Sequence, residues 1–257
     1  MTTELFSLRG RAALVTGGNG GIGRAIALGY RAAGARVAVT GRNAEKNAAI
    51  QAELGDDALV LPLDVREEAA VEEAVTSVIE RFGRLDILVN NAGIFRPGAV
   101  PDMALDTWES VIGTHLTGAF LCSKHAARAM IAGGEGGKIV NIGSMYSVFG
   151  YAEGVHYGTA KTGVIGLTRS LAAEFAKDGI QVNAIMPGWF ETDLTRRLVG
   201  TPRGENIIRK TPAGRWGEPE ELVGAALFFA SAASSFVTGT AIPVDGGYSV
   251  SDRFFPE

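Results

Sequence analysis

The chain has 257 residues with a formal charge of −4, a single cysteine and 35 glycines. Its length supports one large hydrophobic core, so a single domain is expected, and the mildly acidic balance gives no electrostatic ground for a nucleic-acid partner. Cys122 alone excludes an internal disulfide, MTTELFSLRGR at the start lacks the apolar core of a signal peptide, and no apolar run is long enough to cross a bilayer, so a cytoplasmic location without membrane contact is expected.

Arg11 to Thr16 predicts a short buried strand, followed at once by Gly17-Gly18-Asn19-Gly20-Gly21-Ile22-Gly23 and a helix-forming run to Ala33. A strand, a glycine turn and a helix in this order let backbone approach a pyrophosphate and aim N-terminal amides at its charge. Such turns also arise for steric reasons alone, but the place directly after the first strand is what phosphate binding demands. Gly34 ends the helix and Ala35 to Thr40 predicts the second strand, completing a βαβ unit. At its tip an acidic residue would bind the ribose diol of NAD, whereas this chain has Gly41, Arg42 and Asn43. A guanidinium suits a 2′-phosphate by charge and fork geometry, so NADP is favoured with NAD as the alternative. Gly20 stands where a second basic residue would strengthen that preference, and a solvated loop arginine is the competing reading of Arg42.

Ala58 to Leu63 predicts the third strand, Glu67 to Phe82 an amphipathic helix, and Asp86 to Val89 the fourth strand. Asp64 and Val65 fall where an adenine ring would rest, although Asp64 equally suits the cap of the next helix. Asn90-Asn91-Ala92-Gly93 then forms a turn whose small residues permit close packing against a cofactor. Repeated strand–helix units predict an α/β fold with a doubly wound parallel sheet of Rossmann type, about seven strands in all. Asp102 to Ile131 predicts one long helix, broken near Gly113 or Gly118 and ended by Gly133, Gly134, Gly136 and Gly137.

The strand Ile139 to Ile142 delivers Ser144 to its carboxyl end, and a helix opening near Val155 carries Tyr157 and Lys161 on one face. A free phenol has a pKa of roughly 10, and a neighbouring cation in a partly dry site lowers it. Tyr157 could then exchange a proton with a carbonyl or alcohol oxygen that Ser144 holds by hydrogen bond. Tyr-x-x-x-Lys alone also arises on helix surfaces; the glycine turn is the independent constellation that favours chemistry.

The helix through Phe175 stops near Gly179, Ile180 to Ile185 predicts the sixth strand, and Ala241 to Asp245 the last. Between them, residues 189–216 mix aromatics, charges, Pro202 and Pro212 at the carboxyl edge of the sheet, where a substrate lid is expected. Met145, Tyr146, Phe149, Trp189 and Phe190 are the expected pocket lining, with core packing as the alternative for each. Arg96 is expected at the pocket mouth as partner of a substrate carboxylate, against a solvated surface arginine; no metal site is expected.

TGGNGGIG at 16–23, NNAG at 90–93, Ser144, Tyr157-x-x-x-Lys161 and PGWFET at 187–192 together resemble the short-chain dehydrogenase/reductase family across nearly the whole chain. The resemblance implies that Tyr157 is the acid/base, that Lys161 lowers its pKa and binds the nicotinamide ribose, and that Ser144 orients the substrate carbonyl. It implies cofactor contacts from Gly17, Ile22, Asp64, Asn91, Pro187 and Thr192, and Asn19, Gly21, Gly23, Val65, Ala92, Gly93 and Gly188 join them as candidates from the same motifs. It also implies a homotetramer or homodimer, built on the 102–131 helix and the helix of Tyr157, with Phe254 and Phe255 buried against a neighbouring subunit.

There is one departure. Where the family usually carries V-I-x-x-N-L-T-G, this chain reads Val111-Ile112-Gly113-Thr114-His115-Leu116-Thr117-Gly118. The family's asparagine is thought to hold a water that links the lysine to solvent through a break in the helix. A neutral imidazole in one tautomer could hold the same water; a histidine packed between helices without a chemical role is the alternative. A relay through His115 would add an acidic limb near its own pKa.

Phe6 to Leu8, NNAGIFR at 90–96 and TPAGRWGEPEEL at 211–222 are similar to sugar and sugar-acid oxidoreductases, the gluconate 5-dehydrogenases and glucose 1-dehydrogenase-like proteins. The implied activity interconverts a carbonyl and a secondary alcohol on a sugar, sugar acid or related ketone. A 3-oxoacyl-thioester or xenobiotic ketone reductase is the alternative, and a catalytically weak nucleotide-binding sensor or structural subunit the alternative of another class.

Overall fold

The computed structural model describes residues 2–252 and builds them around one seven-stranded parallel sheet in the order β3-β2-β1-β4-β5-β6-β7. The strands are β1 (Ala12–Thr16), β2 (Arg36–Gly41), β3 (Leu59–Pro62), β4 (Ile87–Asn90), β5 (Gly137–Ile142), β6 (Ile180–Pro187) and β7 (Ala241–Val244). Every residue of β1 and β4 is buried, which is why both are continuous apolar runs: helices cover both faces of the sheet. Register places Leu14 beside Ala38 on one side and Leu88 on the other.

Helices α2 (Gly21–Ala32), α3 (Ala44–Leu54) and α9 (Val223–Ala230) cover one face through Ile26, Tyr30, Ile50, Leu54 and Phe229. The Tyr30 hydroxyl, fully buried, donates to Ala226 O at 2.9 Å and so joins α2 to α9. Helices α4 (Glu68–Phe82), α6 (Gly118–Gly133) and α7 (Val155–Phe175) cover the other through Val75, Val78, Leu121, Ala126 and Leu171. Each such fully buried aliphatic side chain contributes about 1.5–3 kcal/mol. Among the described residues, no helix is long and apolar enough to cross a membrane.

Four helices among the described residues go beyond the sequence reading: the short α1 (Thr2–Leu5), α3, α8 (Pro202–Lys210) and α9. α3 starts where Asn43 Oδ1 accepts from Lys46 N at 2.8 Å, a side-chain cap that stops the second strand and opens a helix. α9 follows a 3-10 turn at Pro219–Leu222. The helix expected over 102–131 with a break near Gly113 or Gly118 is interrupted there, as α5 (Leu105–Ile112), a π-helical turn (Gly113–Thr117) and α6, but its start is corrected to Leu105 by a preceding 3-10 turn (Val100–Asp102). Phe254 and Phe255, expected to meet a neighbouring subunit, lie outside the described residues.

Strand order reverses between β1 and β4, and a crevice opens at the carboxyl ends of strands beside such a reversal. The glycine turn, Asn91 and Ser144 follow strands at that edge, and Pro187 ends β6 there.

Candidate active site

Ser144 follows β5 and caps a 3-10 turn, Met145–Ser147, by accepting from Tyr146 N at 3.1 Å. That bond occupies a lone pair of the hydroxyl and leaves its proton to donate elsewhere. Ser147 Oγ donates to Lys161 O at 2.7 Å, tying this turn to the helix α7 that carries Tyr157 and Lys161. Ser144, Tyr157 and Lys161 line one cavity of about 710 Å³ together with Gly17, Asn19, Gly21, Ile22, Asn91, Gly93, Pro187, Gly188 and Thr192.

The electrostatics depart from expectation. Lys161 is only 5% exposed; its Nζ donates to Ile142 O at 2.6 Å and stands 5.7 Å from the Tyr157 ring centroid. Burial pulls the ammonium down to about 7, because a buried charge loses its hydration. Burial likewise pushes the Tyr157 phenol up to about 12, while hydrogen bonding by Ser144 acts in the opposite direction. In this arrangement burial outweighs whatever lowering the nearby Lys161 charge exerts on the phenol.

His115 sits in the π-helical turn, and its ring fills the space beside Gly93, where any Cβ would collide with it. Nε2 lies 2.7 Å from Ile94 O and 3.1 Å from Ile94 N, so each tautomer makes one of the two bonds, and Nδ1 is buried with no hydrogen-bond partner among the described residues. Burial, reinforced by the Lys161 charge, pushes the imidazole down to about 3. The acidic limb expected from a titrating His115 therefore has no basis near neutral pH. His115, Lys161, Thr16 and Asn90 enclose a small cavity of about 10 Å³.

The glycine turn fits a dinucleotide. A Cβ at Gly17 would stand 2.8 Å from Ala92 Cα, and one at Gly21 3.4 Å from Thr192 Cγ2, so side chains there would close the cradle. Asn91 Nδ2 donates to Thr16 O at 3.0 Å and to Gly17 O at 2.9 Å, holding the turn open from β4. Gly23 packs against Asn91 and Gly17 behind the turn, outside the cavity wall. A second cavity, about 200 Å³, extends from the same turn past Arg42, Asp64, Val65, Ala92 and Gly93. Arg66 holds Asp64 through Nε and Nη2, at 3.0 and 2.6 Å to its two oxygens, and keeps that carboxyl below its usual range. Arg42, 3.6 Å from the same carboxylate and half exposed, is left with donors to spare. Lys46 Nζ lies 3.8 Å from where a Gly20 Cβ would be, but is paired with Asp193 Oδ2 at 2.6 Å across the crevice.

Met145, Tyr146, Trp189 and Phe190 line the large cavity as expected. Phe149 instead packs on Tyr248 and Lys210, and Arg96 is exposed and off the cavity wall; its carbonyl accepts from His156 Nε2 at 2.6 Å. Phe95, Tyr151, Glu153, Arg197 and Arg203 line the wall without having been anticipated. Phe95 lies within NNAGIFR, whereas the motif-free stretch 150–155 and the charges of 189–216 carried the only signal for the others.

A family model described as enoyl-(acyl carrier protein) reductase matches residues 17–249. The chain is 41% identical to a gluconate 5-dehydrogenase of Gluconobacter oxydans over 253 residues, 96% of this chain and 98% of that one. It is 38% identical to a D-threitol dehydrogenase of Mycolicibacterium smegmatis over 248 residues, 95% of each. A crystal structure of a gluconate 5-dehydrogenase from Burkholderia cenocepacia, in complex with NADP and tartrate, superposes with a TM-score of 0.93 at 41% identity, covering 98% of this chain and all of that one. With the glycine turn, the serine–tyrosine–lysine set and this sheet order in one crevice, these matches establish that the chain belongs to the short-chain dehydrogenase/reductase family.

Proposed function

We propose that the protein is an NADP-dependent oxidoreductase that interconverts a carbonyl and a secondary alcohol on a sugar acid or related polyol. The observation that carries this reading is the convergence of Ser144, Tyr157 and Lys161 on the cavity that also holds the glycine turn. When bound, the nicotinamide supplies or takes up the hydride. Ser144 Oγ donates to the substrate oxygen and orients it. Tyr157, protonated through the neutral range, gives its proton to that oxygen in reduction and takes it back in oxidation. Lys161 ties α7 to β5 and is the neighbour through which a proton returns to the phenol. Gly17, Asn19, Gly21, Ile22, Asn91, Pro187, Gly188 and Thr192 would hold the pyrophosphate and nicotinamide half, and Asp64, Val65, Ala92 and Gly93 the adenosine half. Arg42 would meet the 2′-phosphate; the relatives solved with NADP support that preference.

Residues 189–216, with the helix α8 (Pro202–Lys210), act in this reading as the substrate lid of a single domain. A homotetramer or homodimer belongs to the same reading: Phe120 and Ile131 on α6 are 45% and 44% exposed, apolar surface that a partner subunit would cover. A cytoplasmic location belongs to it as well and is supported by the single reduced cysteine, Cys122.

Initial rates with NADPH and NADH on 5-ketogluconate, an acetoacetyl thioester and an aryl ketone, and with gluconate, glucose and threitol in the oxidative direction, test the reading. Turnover of a sugar acid or polyol with NADP(H) preferred is the expected result. Turnover confined to the thioester, or tight nucleotide binding with no turnover at all, would overturn it.

A further inference from the structure

The wall of the large cavity around Tyr157 is a stack of aromatic rings. Tyr151 lies between Phe95, 5.6 Å away and inclined by 11°, and Tyr146, 4.0 Å away and inclined by 8°. Tyr157 meets the Tyr151 ring edge-on at 6.3 Å. Such packing fixes the Tyr151 ring and therefore its hydroxyl. Arg203, on the first turns of α8, donates from Nη2 to that hydroxyl at 3.1 Å and holds its guanidinium carbon 5.9 Å from the ring centroid.

A guanidinium carries five N–H donors in a planar fork. One is used on Tyr151, and among the described residues no carboxylate forms an ion pair with Arg203. Of the other cations on the cavity wall, Lys46 is matched to Asp193, Lys161 donates to Ile142 O, and Arg197, also without an ion pair among the described residues, has no ring or hydrogen bond there to hold its guanidinium. Arg203 is thus a cation anchored by a neutral phenol, facing a cavity whose chemistry is already placed at Tyr157.

We propose that Arg203 is the specificity-determining residue that receives the carboxylate of an acidic substrate, with Tyr151 as the positioning residue that aims it. The proposal rests on the sugar-acid reading above and deepens it. Two steps, from the Tyr157 ring to Tyr151 at 6.3 Å and from Tyr151 to the guanidinium at 5.9 Å, limit the distance between reacting carbon and carboxylate. A short polyhydroxylated acid whose carbonyl lies toward the end remote from its carboxylate fits within that upper limit. The aromatic wall between them suits the C–H face of the carbon chain, leaving hydroxyls to the rim.

The test compares kcat and KM for 5-ketogluconate and for a neutral ketose of the same carbon number, with NADPH, in wild type, Arg203→Ala, Arg203→Lys and Tyr151→Phe. Losing a charge-assisted fork raises KM for the acid roughly ten- to hundredfold in Arg203→Ala. The lysine variant falls between, because it keeps charge and loses the fork; Tyr151→Phe keeps the stack, loses the anchor and shifts KM the same way by less. KM for the neutral ketose and the NADPH dissociation constant, read by fluorescence, stay within about twofold of wild type. Arg203→Ala with unchanged KM for the acid, or with equal losses on acid and neutral ketose, overturns the assignment of Arg203 while leaving the sugar-acid reading standing. A wild-type enzyme that binds NADPH and turns over no sugar acid overturns that reading and the assignment with it.

Discussion

Lys161 Nζ donates to the carbonyl oxygen of Ile142 at 2.6 Å, so the lysine of the catalytic helix is fastened to the end of the catalytic strand. A buried ammonium held by one neutral carbonyl is costly, and its pull down to about 7 expresses that cost.

Lys161→Met is therefore expected to abolish turnover and to stabilise the fold near pH 7. The folded-state pKa lies below the ordinary value of about 10.4, so between pH 7 and 10 the unfolded chain binds more protons and wild-type stability rises with pH. The variant should exceed wild type by about 1–3 kcal/mol in urea unfolding at pH 7, with the gap closing toward pH 10. A gap independent of pH would refute the assignment.

Tyr157→Phe should lose at least about a thousandfold in kcat while keeping its affinity for NADPH, since only the proton-transfer group is removed. In the wild type, the phenol at about 12 stays protonated through neutrality. Reduction should fall above about pH 7, where Lys161, the source of the returning proton, loses its own, and oxidation, which needs the phenolate, should still be climbing at pH 9; pH–rate profiles in both directions check this.

His115, at about 3, should stay neutral at every working pH, so neither the pH–rate profile nor an NMR titration of its ring should show a midpoint near 6.5. Its Nδ1 and Asn90 Oδ1 are both buried without a hydrogen-bond partner among the described residues, and both residues line the 10 Å³ cavity, which has room for one water bridging the two. A high-resolution crystal structure should show that water. His115→Phe keeps the ring, removes the bond to Ile94 and should cost about 1–3 kcal/mol in unfolding.

Arg42→Ala should weaken NADPH binding roughly tenfold or more and leave NADH within about twofold, measured by fluorescence titration. Arg66→Ala should weaken NADPH selectively too, because it frees the Asp64 carboxylate to draw Arg42 away and to repel a phosphate. Equal effects on both nucleotides would refute this arrangement.

Much of the frame was legible in the residues. β1, β2, β4 and β6 fall within two residues of their expected spans at each end, because a strand covered on both faces must be an apolar run. α7 runs from Val155 to Phe175 as expected, since a helix is a local arrangement. The missed α3 shows the limit. Its residues alternate alanine with charge and leave only Asn47, Ile50 and Leu54 buried, too weak a stripe to stand out, and its one clear signal is the cap at Asn43.

The sequence by itself determined the sheet, the glycine turn and the identity of Ser144, Tyr157 and Lys161. Each rests on short-range constraints: apolar continuity, a backbone that tolerates no Cβ, and two residues one helical turn apart. Only the tertiary structure decided that Lys161 spends its proton on Ile142, that Lys46 reaches the place left by Gly20, and that Arg203 rather than Arg96 faces the cavity. Those outcomes join segments far apart in the chain, brought together by the reversal of strand order at β1 and β4. Spacing states which side chains share a face; the field and the neighbours each one meets there depend on what the other segments bring.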